Sequence, residues 1–219
     1  FATNRLALFS CESKRQKVKS NQQNLEVEVK FFVPELGPFR ERLLAAGAKL
    51  AKPRVFERNV AFDTADFRLY RELKLLRIRQ DTAVTLTYKG TPKNLTHSEA
   101  KVREELELKV SDFDTLAEIF TRLGFAPVQT YEKYRETFNW QDVEIVLDEL
   151  PYGNFVEFEG EEEGLKTAVS HLNLNWQNRI LTNYLGLMAQ LKTHHNLPFN
   201  DLTFANFANQ NISIADIFP

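Results

Sequence analysis

A chain of 219 residues with 43% hydrophobic and 26% charged content can bury a sizeable core and has the make-up of a soluble globular protein. Its net charge of −2 excludes a global electrostatic pull toward nucleic acid. No apolar run approaches the roughly 18 residues of a membrane-spanning helix. The lone Cys11 excludes an internal disulfide and fits a reducing, cytoplasmic compartment.

Residues 1–24 are polar and basic (Lys14, Arg15, Lys17, Lys19), lack periodicity, and predict a flexible tail. From Leu25 the pattern changes. Residues 25–33 alternate charged and apolar side chains: Glu26, Glu28 and Lys30 on one face of a strand, Val27, Val29 and Phe31 on the other. An amphipathic helix follows over 35–47, ending at Gly47. Strands are predicted at Val55–Phe62, before the turn residues Asp63–Asp66, at Leu73–Gln80 and at Ala83–Lys89, the last closed by Gly90. Residues 91–100 are turn-rich and read as a mobile loop.

The order then repeats. Glu105-Leu106-Glu107-Leu108-Lys109 restates Glu26-Val27-Glu28-Val29-Lys30 within a strand over Lys101–Val110. Ser111 or Asp112 is placed to cap a helix running to Leu123. Strands follow at Tyr131–Trp140, Val143–Leu150 and Asn154–Glu159, with Gly160 in the place of Gly90. Residues 165–192 carry a helical pattern. The stretch from Leu197 to Pro219 has scattered apolar residues and is expected to dock on the body. Two strand–helix–three-strand units predict an antiparallel-rich closed barrel or a sandwich.

Each strand offers one apolar and one charged face. If the amphipathic helices cover the apolar faces from outside, the charged faces line a lumen. Its acids are then Glu26, Glu28, Glu105, Glu107, Glu144, Asp148, Glu157 and Glu159. Its bases are Lys30, Arg77, Arg79, Lys89, Arg103, Lys133 and Arg135. Alternating charge on one strand is usually a solvated sheet face; in-phase charge on seven strands of an internal repeat is the pattern of a site. Clustered oxygen ligands suit Mg²⁺ or Mn²⁺, and arginines in rows suit a multiply charged phosphate chain. The first unit supplies more cation and the second more carboxylate.

The motifs resemble those of the CYTH, or triphosphate tunnel metalloenzyme, superfamily. They run Glu26-x-Glu28-x-Lys30, Arg58-Asn59-Val60-Ala61-Phe62-Asp63-Thr64, Leu76-Arg77-Ile78-Arg79, Thr87-Tyr88-Lys89-Gly90, Arg103-x-Glu105-x-Glu107, Glu132-Lys133-x-Arg135, Val146-Leu147-Asp148 and Gly153-x-Phe155-x-Glu157-x-Glu159. The resemblance covers residues 25 to about 190. It implies an α+β fold, an eight-stranded antiparallel closed β-barrel built from two βαβββ repeats with helices packed outside. The tunnel domain is then 25–192, followed by a docked extension over 193–219.

The resemblance further implies a small-molecule triphosphate substrate and Mg²⁺ or Mn²⁺. Glu26, Glu28, Asp148, Glu157 and Glu159 are the implied metal ligands. Lys30, Arg58, Arg77, Arg79, Lys89, Arg103, Lys133 and Arg135 are the implied phosphate cradle. Glu105 and Glu107, with Lys30, are the implied catalytic groups, holding water or orienting bases. Triphosphate hydrolysis is the expected activity, with cyclisation of ATP to cyclic AMP and simple polyphosphate binding as rivals. No membrane and no specific nucleic acid is expected as a partner, and the chain is expected to be a monomer or homodimer. Tyr184 falls in a helix near one tunnel mouth. His194-His195 and His97 read as solvated residues, Trp140 and Trp176 as packing.

Overall fold

The structure, a computed structural model, describes residues 24–93 and 97–218. The predicted basic tail lies, but for its last residue, outside them. The strands are β1 Leu25–Val33, β2 Lys49–Thr64, β3 Leu75–Gln80, β4 Val84–Gly90, β5 Lys101–Val110, β6 Phe125–Trp140, β7 Val143–Leu150 and β8 Gly153–Glu159. The helices are α1 Leu36–Ala45, α2 Arg68–Arg71, α3 Phe113–Arg122, α4 Glu162–His171, α5 Tyr184–His195 and α6 Phe204–Phe207. The strands close a fully antiparallel barrel in the order β1-β5-β4-β3-β2-β6-β7-β8, with β8 pairing back onto β1. Exchanging each strand with its counterpart in the other repeat returns the same ring in reverse. The two repeats interlock, meeting at the β1–β5, β4–β5, β2–β6 and β1–β8 pairings.

Helices cover the outward apolar faces of most strands, while Leu106 and Leu108 on β5 stay exposed. Val29, Phe31, Phe138, Ile145, Leu147, Val156 and Phe158 pack under α1 (Phe39, Leu43) and α4 (Leu165, Val169). Val60, Phe62 and Ile78 pack under Phe120 of α3. Asp112 caps α3 by accepting from the Thr115 N–H at 2.6 Å. Gly47 and Gly124 follow α1 and α3 with φ of +83° and +88°, the left-handed exit that glycine adopts without a Cβ penalty.

Three elements differ from the sequence-based expectation. β2 and β6 each run for 16 residues. Their register shifts between Leu50 and Val55 and again between Ala61 and Phe62, so the period of two is broken where Pro53 and Pro127 sit. The helical pattern over 165–192 divides into α4 and α5 with a non-α segment between them. Asn173 turns left-handed (φ +57°) after α4, a 3₁₀ turn follows at Trp176–Asn178, the Ile180 N–H then donates to the Lys30 carbonyl at 2.8 Å, and Asn183 caps α5. The loop predicted to be mobile is tethered at its C-terminal end. There Ser98 Oγ donates to Glu162 at 2.6 Å, and Glu99 accepts from Lys166 at 2.9 Å and Trp176 Nε1 at 3.0 Å.

At one end of the barrel the inward residues turn apolar. Phe32, Leu150 and Phe155 meet Tyr184, Leu187, Met188 and Leu191 of α5 and Phe207 of α6. Leu202 forms a parallel bridge with Tyr131. Among the described residues no helix is long and apolar enough to cross a membrane.

Candidate functional site

The lumen is a cavity of about 1710 Å³. Of the residues picked out from the sequence, Glu26, Glu28, Lys30, Arg77, Arg79, Lys89, Arg103, Glu105, Glu107, Lys133, Arg135, Glu144, Glu157 and Glu159 all line it. Strand parity puts them there: each is an inward position alternating with outward-facing neighbours.

The acids concentrate on β1, β7 and β8. Glu28 lies opposite Glu159, and Glu159 opposite Glu144, so three carboxylates form one cross-strand row. Like charges directly opposite repel. Glu28 escapes through Lys101, whose ammonium reaches its Oε1, and through Lys30 at 3.6 Å. Burial pushes the Glu28 carboxyl up, but Lys30 and Lys101 outweigh it and hold the pKa at about 2. Glu157 is likewise held low against burial by Lys30 (3.4 Å) and Arg135 (2.6 Å). Glu159 and Glu144 form no ion pair among the described residues. Burial, then Glu26 and Glu144, raise Glu159 to about 8. Burial also raises Glu26 to about 7, although Lys89 sits on both its oxygens at 2.7 and 2.6 Å.

The cations concentrate on β3 and β4 and on the inner face of β6. Arg77 donates to Tyr131 Oη at 2.9 Å and to Thr87 Oγ1 at 3.0 Å. Arg77 and Arg79 both lie 3.6 Å from Glu107 Oε1, which accepts from Thr87 Oγ1 at 2.9 Å. Glu107 is the open acid of this wall, its side chain 40% exposed. Arg103 is partly committed to backbone, donating to the Gly90 carbonyl at 3.0 Å and the Leu73 carbonyl at 2.6 Å.

Two expected site residues stand elsewhere. Arg58 is not in the lumen. It shares its face with Val60, which packs outward under α3, and its guanidinium lies 5.6 Å from the centre of the outer Phe113 ring. Asp148 has the inward parity but is fully buried in the wall and both oxygens are taken. It accepts from Arg135 Nε at 2.7 Å, Lys133 at 3.0 Å and Tyr184 Oη at 2.9 Å. That arrangement makes Asp148 the buried counter-ion of Lys133 and Arg135 in this structure.

Reading the sequence missed Glu57, a buried acid 3.7 Å from Lys133. Burial raises the Glu57 carboxyl, but Lys133 and Arg135 prevail and hold it at about 2. Its signal was available: Glu57 alternates with Arg58 and shares the face of Asn59. Lys101 was missed as well, though it is in phase with Arg103. Buried atoms without a hydrogen-bond partner cluster in the same wall: Glu57 Oε2, both amide atoms of Asn59, and the Nε of Arg77 and Arg79. Buried polar groups in this state mark a wall whose partners come with solvent or ligand.

Whether a divalent cation fits can be judged from the donors. Among the described residues no three carboxylate, imidazole or thiol groups already converge on one point, because Lys89 and Lys101 stand between the acids. The set Glu26, Glu28, Glu157 and Glu159 is nonetheless all-oxygen, as Mg²⁺ and Mn²⁺ require. Burial raises Glu26 and Glu159 above the ordinary carboxylate range, and neighbouring carboxylates push both the same way. The residues fit the ion.

The CYTH domain profile matches residues 24–171. A Methanocaldococcus jannaschii protein named "Putative adenylate cyclase" is 33% identical over 176 residues, 74% of this chain and 98% of that protein. The solved PH1819 protein of Pyrococcus horikoshii OT3 is similar at 26% identity and a TM-score of 0.64, covering 75% of this chain and 98% of its own. A Hippeastrum protein described as a "Putative adenylyl cyclase" with a dominant triphosphatase activity shares the fold at 19% identity and a TM-score of 0.51, over 72% of this chain and 91% of its own.

Proposed function

This chain belongs to the CYTH domain family, and from that premise we propose that it is a divalent-metal-dependent phosphohydrolase that cleaves the terminal phosphate of a triphosphate with water. Phosphoryl transfer asks for positioning and charge neutralisation rather than covalent chemistry. The β3–β4 and β6 cations supply a cradle for up to four negative charges. Arg77, Arg79, Lys133 and Arg135 each present N–H donors into the lumen, and Arg135 and Lys133 are held in place by Asp148. Lys30, buried between Glu28 and Glu157, keeps those carboxylates ionised. Glu26, Glu28, Glu157 and Glu159 would hold the cation, which supplies charge neutralisation and polarises phosphoryl oxygen when bound.

The observation that carries hydrolysis is Glu107. It is a solvent-reachable carboxylate 3.6 Å from both Arg77 and Arg79, anchored by Thr87. A water donating a hydrogen bond to Glu107 is aligned against a phosphate held by those two arginines. It gives its proton to the carboxylate as its oxygen bonds to the terminal phosphorus and the bridging P–O bond breaks, freeing orthophosphate and leaving the departing phosphate oxygen to the lumen cations. Glu105, 3.2 Å from Lys89, keeps that lysine directed at the lumen.

The second reading is cyclisation, in which the ribose 3′-hydroxyl attacks the α-phosphorus and pyrophosphate leaves. The observation favouring it is the name carried by the 33% identical relative. Phosphorus NMR of the products from ATP and from tripolyphosphate, in Mg²⁺ and in Mn²⁺, decides between them. Orthophosphate from both substrates is the expected result. Pyrophosphate with cyclic AMP would establish the cyclase, and tight binding without turnover would leave a polyphosphate-binding module.

A further inference from the structure

The chain between β2 and β3 builds an exposed apolar shelf on the rim of the lumen. Phe67, Tyr70 and Leu73 are 52%, 74% and 66% exposed, yet all three line the same cavity as the arginines. Exposed apolar side chains scattered singly need no explanation, but three grouped at the mouth of a charged cavity do.

The shelf is built, not loose. Asp63 accepts from the backbone N–H groups of Thr64 at 2.7 Å, Leu69 at 2.9 Å and Tyr70 at 2.9 Å, which fixes the short α2 turn. At its far end the Leu73 carbonyl accepts from Arg103 at 2.6 Å, and Arg103 also holds the Gly90 carbonyl where β4 ends. The shelf is thereby tied to the same lumen wall as Lys89.

Its backbone shows that the side chains are wanted. Phe67 and Leu73 have φ of +54° and +56°. Left-handed backbone is penalised for residues with a Cβ and free for glycine. A bend that needed only its shape would be met by glycine at both positions. Here both positions carry large apolar groups facing the cavity mouth.

We propose that the Phe67–Tyr70–Leu73 shelf receives a flat aromatic group attached to the triphosphate, so that the preferred ligand is an organic triphosphate and not inorganic tripolyphosphate. This rests on the triphosphate reading of the lumen. The cationic wall takes the phosphates, and the group at their other end emerges at the rim, where ring faces are available for stacking. A nucleoside base and the ring system of thiamine share this chemistry.

The test compares affinities, so that it stands apart from turnover. Calorimetry gives the Kd of a methylene-bridged ATP analogue, of thiamine triphosphate and of tripolyphosphate for wild type, Tyr70→Ala and the double variant Phe67→Gly/Leu73→Gly. The glycine variant removes the apolar groups while relieving the left-handed backbone, so its fold is retained or stabilised. The expected result is about a tenfold weaker Kd for an aromatic ligand in both variants, with tripolyphosphate within twofold of wild type. Whether the ATP analogue or thiamine triphosphate suffers the loss identifies the ring. Equal losses for all three ligands, or no loss for either aromatic one, would overturn the shelf while leaving the triphosphate reading intact. Failure of wild type to bind any of the three would instead overturn the reading on which the shelf rests.

Discussion

The β3–β4 hairpin and the β7–β8 hairpin occupy equivalent places in the two repeats, and they have opposite chemistry. Facing inward, the first presents Arg77, Arg79, Thr87 and Lys89; the second presents Glu144, Glu157 and Glu159, with Asp148 behind them. The lumen carboxyls report the partners nearest each of them, and Glu157 on the second hairpin is itself held low by Lys30 and Arg135. Glu57, against Lys133 and Arg135, is held at about 2, whereas Glu159, buried beside Glu26 and Glu144, rises to about 8. One backbone plan used twice, with inward residues exchanged, gives a cavity with a cationic wall and an acidic wall.

The comparison can be broken most forcefully on the acidic side. Glu159→Gln and Glu26→Gln are expected to lower turnover at least ~100-fold, a loss of about 2.7 kcal/mol in transition-state stabilisation, with circular dichroism and melting behaviour preserved. Near-normal rates in both variants would remove the metal role from this wall. Asp148→Asn strips the buried counter-ion from Lys133 and Arg135. It is expected to cost about 3 kcal/mol of stability, read as a shifted denaturant midpoint; a shift of a few tenths would restore Asp148 as an open ligand.

The two walls also predict opposite pH responses in metal-free protein. Glu57 has a depressed folded pKa, so its contribution to stability is present above the ordinary carboxylate range near 4.5 and is lost as pH falls toward 2. Glu159 has a raised folded pKa, so its contribution is complete below 4.5 and is lost as pH rises through about 8. Denaturation midpoints of Glu57→Gln and Glu159→Gln against wild type across pH 3–9 check both signs. Glu57→Gln should be the less stable protein at neutral pH and converge on wild type in acid. Glu159→Gln should be the more stable one above pH 8. The smallest effect is expected from Arg58→Ala. Its guanidinium lies outside the barrel over Phe113, so kcat/KM should stay within about twofold of wild type. A tenfold loss would return Arg58 to the cradle.

Strand parity made most of this site legible in the sequence. Where the period of two runs unbroken, as in β1, β3, β5 and β8, the charged face could be read directly and every charged position assigned inward lines the lumen. In β2 the assignment rests on motif resemblance and not on parity: the resemblance places Arg58 in the cradle, whereas the alternation, unbroken from Val55 to Ala61, turns Glu57 and Asn59 to the opposite face from Arg58. Asp148 shows a second limit. Its parity is right, but its depth along the barrel, under the Tyr184 hydroxyl of α5, depends on an element more than 30 residues away in sequence. The rim shelf was invisible for a third reason: Phe67 and Leu73 reveal themselves through backbone dihedrals and exposure, which no residue pattern records.

The division of labour between the walls is tested most directly by reciprocal titration. Mn²⁺ binding followed by electron paramagnetic resonance, and tripolyphosphate binding followed by calorimetry, would be measured for wild type, Glu159→Gln and Arg77→Ala. Glu159→Gln should weaken Mn²⁺ by tenfold or more and leave metal-free tripolyphosphate binding intact. Arg77→Ala should weaken tripolyphosphate on the order of 30-fold and leave Mn²⁺ within twofold. Equal losses of both ligands in both variants would contradict the account, because they would mean that the cavity does not separate phosphate from metal.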